Sequence, residues 1–126
     1  MKRNVILAAV CLFFCIVANA NSGESIGSDK IKDMLLRPNG WSAEWKGSAY
    51  SGESEFMFEE RGENVVVKIV TPSFNLSCER DVKITSDVIE LDGCTDTGIQ
   101  LHYDPNDKEY PFKGKSPNVN YKLKEK

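Results

Sequence analysis

The sequence predicts a mainly β protein: one short N-terminal helix, then a small antiparallel meander of about eight strands closing as a barrel, with a two-sheet sandwich as the alternative. Three observations carry this. From Trp41 onward apolar and polar residues alternate in short runs. Turn residues punctuate those runs at intervals of about 8–12 residues. No crossover segment intervenes that is long enough for parallel pairing.

Residues 1–20 read as a secretory signal peptide and are set aside before the fold is considered. Lys2 and Arg3 form a basic head, Val5 to Val17 is an apolar run of 13 residues, and Ala18-Asn19-Ala20 matches the small-x-small pattern of a signal peptidase site. Cleavage is expected between Ala20 and Asn21. As a helix the run spans only about 20 Å, short of the roughly 30 Å hydrocarbon core, so no membrane span is expected after cleavage. Val10 and Phe14 precede Cys11 and Cys15 where lipid attachment needs small residues, which argues against a lipoprotein.

Subtracting the peptide changes the chain that remains. It is 106 residues long, enough for one core and too short for two. Two of the 16 basic residues leave and none of the 19 acidic ones, so the net charge deepens from −3 to −5. Such a balance repels phosphate backbones and anionic membranes, and nucleic acid is excluded as the expected partner. Of four cysteines, Cys78 and Cys94 remain, and an even pair in an exported chain predicts one disulfide. No C-x-x-C spacing and a single histidine, His102, argue against a redox or metal site.

Asn21 to Gly27 is small and polar and reads as a flexible leader, leaving residues 28–126 as a single β domain. Ser28 is the expected N-cap, and Ile31, Met34 and Leu35 form one apolar face of about two helical turns ending before Pro38-Asn39-Gly40. So short a helix does not persist alone, so it should cover the open end or edge of a sheet. Trp41, Ala43 and Trp45 share one face of the first strand. Phe56 and Phe58, then Val65, Val67 and Ile69, form a hairpin around Arg61-Gly62-Glu63-Asn64. Phe74, Leu76 and Cys78 continue the alternation after Pro72. Val82 and Ile84 pair with Val88 to Leu91 across Thr85-Ser86-Asp87. Ile99, Leu101 and Tyr103 follow a polar turn at 95–98. Asp104-Pro105-Asn106-Asp107 turns the chain toward a strand holding Tyr110 and Phe112, Lys113 to Asn118 turns it again, and Val119, Tyr121 and Leu123 complete the sheet.

A helix leading into a strand with tryptophan near its start, followed by a meander, resembles the calycin-like small barrels, whose first strand carries Gly-x-Trp; here the residues are Asn39-Gly40-Trp41, with Gly and Trp adjacent. The resemblance covers the layout of about 90 residues and implies a calycin-like barrel, with no site residues carried over.

Candidate chemistry is sparse. His102 and Asp104 share a strand face and have the residue types of a general-base pair, though their neighbours Leu101 and Tyr103 are the core-facing residues. Glu53, Glu55, Glu59, Glu60 and Glu63 have the composition of a carboxylate pair or a calcium site, yet alternation assigns most of them to a solvated face. Asp104 to Asp107 departs from a calcium loop at Lys108 and reads as a turn. Trp41, Trp45, Tyr50, Tyr103, Tyr110 and Tyr121 are candidates to line a ligand cavity, the first five being the predicted binding set. Trp41 and Trp45 lie about 13 Å apart along the strand, so only one of them belongs at a given gap. Asn75-Leu76-Ser77 is an N-glycosylation sequon read inside a strand.

These features predict an exported module, periplasmic or secreted, without catalytic residues, metal or cofactor, that binds a small apolar or glycan ligand or a protein partner such as a secreted hydrolase. The alternatives are a small extracytoplasmic hydrolase using His102 with Asp104, and a structural envelope or host-interaction protein.

Overall fold

Alternation and turn chemistry together dictate the sheet. A computed structural model describes residues 27–126; the signal peptide, the Ala20/Asn21 site and most of the leader lie outside those residues. The chain forms helix α1 (Ser28–Leu35) and strands β1 (Trp41–Lys46), β2 (Ser51–Arg61), β3 (Asn64–Thr71), β4 (Leu76–Thr85), β5 (Val88–Leu91), β6 (Ile99–Tyr103), β7 (Phe112–Lys115) and β8 (Asn120–Glu125). Each strand pairs antiparallel with the next, and β8 returns to β1, so the meander closes as an eight-stranded barrel and not as a sandwich. Closure leaves no free sheet edge.

The inward row of β1 begins with Trp41 and Ala43, both buried, and its cross-strand partners are Phe56 and Leu123 among other core residues. Trp41 meets Phe112 edge-on, with ring centroids 5.2 Å apart at 89°. Such pairs add about 0.5–1.5 kcal/mol beyond the area they bury.

Helix α1 closes one end of the barrel. Ile31 and Leu35, one turn apart, are fully buried in the core, each contributing about 1.5–3 kcal/mol. The Trp41 indole N–H donates to the Leu35 carbonyl at 3.2 Å, satisfying a group the helix end leaves free. Arg37 then fastens the helix to β8: it pairs with Glu125 at 2.8 Å, donates to the Gly40 carbonyl and lies over the Trp41 ring. Gly40, at φ 72°, permits the turn between them; a Cβ there would stand 2.9 Å from the Phe56 carbonyl oxygen.

Five expectations need correction. Gly27, not Ser28, is the N-cap; Ser28 is already helical and makes no capping bond. Phe74 is not on a strand, because Pro72 starts a 3-10 turn (Pro72–Phe74) and Asn75, at φ 55°, ends it, so β4 begins at Leu76. The same turn places the sequon's Asn75 in an exposed bend, outside the strand. Tyr110 precedes β7 and does not belong to it. Its N–H is taken by the Asp107 carboxylate at 2.8 Å, which removes it from any ladder. Residues 113–115, read as a turn, are therefore strand, paired with both β6 and β8, and the turn follows at 116–119.

The Sγ atoms of Cys78 and Cys94 stand at disulfide distance, with Cα atoms 5.7 Å apart, linking β4 to the β5–β6 loop. Among the described residues no helix is long and apolar enough to cross a membrane.

Candidate functional site

The end opposite α1 is built from the loops at 47–50, 72–75, 92–98 and 116–119. Their composition differs from the rest of the chain: Ser, Gly, Asn, Thr, Pro, Tyr and Phe predominate, and the only charged residues are Asp92 and Asp96. Small adaptable polar residues with a few aromatics are the composition of binding loops.

Between these loops lies a cleft of about 120 Å³, floored by the buried Phe56, Ile69 and Ile99 and walled by Trp45, Phe74, Leu76 and Tyr121. Trp45 holds its place because its strand neighbour is Gly52, whose missing side chain lets the indole lie flat; a Cβ there would meet the ring at 2.7 Å. Phe74, 53% exposed, stacks on Trp45 with centroids 6.0 Å apart and the planes 29° from parallel.

Three polar groups face the same cleft. The Trp45 indole N–H donates to Ser54 Oγ at 3.0 Å, and Ser54 shares a 2.6 Å bond with Thr71 Oγ1. Both hydroxyls are buried, and between them they carry two hydrogens, of which their mutual bond uses one. The second O–H has no acceptor among the described residues. On the other side of Trp45, on β8, the Tyr121 hydroxyl donates to the Asp96 carboxylate. Burial, and then the bond to the Asp96 carboxylate, push the Tyr121 hydroxyl above the usual tyrosine range, so it stays a donor at all ordinary pH.

The predicted binding residues are distributed over the whole barrel. Trp45 lines the cleft and Tyr50, 71% exposed, stands on the adjoining 47–50 loop. Trp41 and Tyr103 lie at the helix end, packed against Phe112. Tyr110 sits on the outer wall, donating to Glu44 at 2.6 Å with the Lys122 ammonium 4.5 Å from its ring centre. The Glu44 bond, then burial, push the Tyr110 hydroxyl up to about 12. A larger trough of about 790 Å³ crosses this outer wall and is more open than the cleft, and Trp45 and Tyr121 line both.

Sequence reasoning did not single out Ser54, Thr71, Phe74 or Asp96. Ser54 and Thr71 stand at inward positions of apolar alternations, which was the available signal. His102 is exposed on β6 opposite Lys113, while Asp104 is occupied by the Asn106 N–H and by Lys113. Three of the four β2 carboxylates likewise have partners: Glu55 with Lys126, Glu59 with Arg61 and Glu60 with Lys32. Among the described residues no three His, Cys, Asp or Glu side chains cluster as metal ligands.

Comparison with protein-family models, with curated proteins and with solved structures gave no match, so the likeness to calycin-like barrels rests on layout and the functional reading on geometry.

Proposed function

We propose that this chain is an exported binding module that takes a small ligand into the open end of the barrel. One observation carries the reading: the cleft joins apolar aromatic walls to a few convergent polar groups, the spare hydroxyl of the Ser54–Thr71 pair and the Asp96 carboxylate. Export is supported by the leading 20 residues and by a cysteine pair at disulfide distance. The hydrolase alternative has less support, since His102 is exposed on β6, away from the cleft, and the Ser54 and Thr71 hydroxyls bond to each other and to the Trp45 indole and not to an imidazole or a carboxylate.

The test is a two-dimensional NMR screen of the oxidised chain from Asn21 to Lys126 against small neutral, cationic and anionic fragments, including monosaccharides. The reading expects some of them to shift the Trp45 indole N–H and the amides of 93–96 in a saturable way. A panel that moves none of these signals, or moves only those of the outer wall, refutes it. Mass spectrometry of the secreted protein tests export: the mass of Asn21–Lys126 less two hydrogens is expected, and an intact N-terminus refutes cleavage.

A further inference from the structure

The charge of the open end points to the class of ligand. Eight ion pairs join side chains among the described residues, and all lie on the outer wall or at the helix end. None of them uses Asp92 or Asp96. Asp92 is occupied otherwise, accepting the Gly98 N–H at 2.9 Å. The Asp96 carboxylate accepts only the neutral Tyr121 hydroxyl, so an acidic group borders the cleft with no cation within ion-pair distance among the described residues.

The walls are apolar, with Trp45, Phe74 and Tyr121 all lining the cleft. An anion entering there meets repulsion from Asp96. A neutral apolar group fills the walls and leaves the carboxylate uncompensated. A cation with an apolar skin satisfies both, and the partial exclusion of water strengthens the attraction.

On the binding reading above, we infer that the cleft recognises an organic cation, an alkylated ammonium or a lysine-type side chain, seated beside Tyr121 and the stacked Trp45–Phe74 pair and balanced by Asp96. The spare hydroxyl of the Ser54–Thr71 pair gives the same ligand a donor for an oxygen atom. Two sources carry this chemistry, a free small amine or a side chain presented by a basic protein, and both suit a chain of net charge −5 once the leading 20 residues are removed.

The experiment titrates the oxidised Asn21–Lys126 chain with choline and with its neutral carbon isostere 3,3-dimethylbutan-1-ol, following the Trp45 indole N–H. Choline is expected to bind about tenfold or more tightly than the isostere. Asp96→Asn, which retains an acceptor for Tyr121, should remove that preference, whereas Asp92→Asn should keep it. Gly-Lys-Gly and Gly-norleucine-Gly form the second arm: a lysine peptide binding more tightly than choline marks a protein as the source, and the reverse order marks a free amine. Equal binding of choline and the isostere overturns the charge inference while leaving the cleft a binding site. Failure of every cation beside success of a neutral fragment does the same. A preference for choline that survives Asp96→Asn removes Asp96 from the site and overturns the assignment.

Discussion

Breaking the Cys78–Cys94 link is the perturbation whose size follows most directly from the structure. The two residues are 16 apart in sequence, and they tie β4 to the loop that supplies Asp96. In the chain-entropy account, closing a loop of that length removes about 10 cal/mol/K from the unfolded ensemble, or about 3 kcal/mol at room temperature. For a domain of this size the total is roughly 5–15 kcal/mol, so the link supplies a large share. Urea unfolding followed by far-ultraviolet circular dichroism, on the oxidised chain, the reduced chain and Cys78→Ala/Cys94→Ala, measures it. A loss of about 3 kcal/mol is expected, with the melting temperature falling by roughly 12–24 °C. The reduced chain and the double variant should agree within about 1 kcal/mol, since both lack the same constraint. The Trp45 indole signal should also lose its response to fragments, because the 92–98 loop is no longer held against β4. A reduced chain within about 1 kcal/mol of the oxidised one refutes the argument, and so does an unaltered fragment response.

Two further predictions concern the closed end and the outer wall. Trp41→Phe keeps a ring against Phe112 but leaves the Leu35 carbonyl without its donor, so a loss of about 1–3 kcal/mol is expected by chemical denaturation; a loss below about 0.5 kcal/mol refutes the role given to that bond. At alkaline pH the sign is set by Tyr110 and Tyr121, whose folded pKa values are raised above the ordinary 10.0. The unfolded chain then releases protons first, so their contribution is complete below pH 10 and falls as pH rises from there, through about 12 for Tyr110. Spectrophotometric titration should show two of the four tyrosines ionising late, and Glu44→Gln should return one of them toward 10; four normal tyrosines contradict the hydrogen bonds to Glu44 and Asp96.

The strands were legible where alternation is local. Trp41-Ala43 and Phe56-Phe58 show period-two burial in both sequence and structure, because a pleated strand with one buried face leaves no other arrangement for its side chains; Val65, Val67 and Ile69 are buried as the alternation predicts, but Val66 between them is buried too. The β2–β3 hairpin followed from its turn residues in the same way. Legibility failed where something other than the alternation decided. Tyr110 alternates with Phe112 as a strand residue should, yet the Asp107 carboxylate takes its N–H and starts β7 later. Gly114 looks like a turn residue, yet β6 and β8 pair with it from both sides. Of the cleft, Trp45 was visible as an aromatic, while Phe74 was hidden by an alternation that a 3-10 turn interrupts.

Residue type and short spacing alone set the class of the fold, the helix ahead of it, the cysteine pair and the acidic balance. Tertiary structure decided which end of the barrel is covered and which is open. Ile31 and Leu35 bury themselves at the Trp41 end, and β8 closes on β1, so residues far apart in the chain (Trp45, Thr71, Asp96 and Tyr121) come to face one cleft. No local pattern encodes that meeting, because it is the register of eight strands around a closed barrel that brings them to the same end.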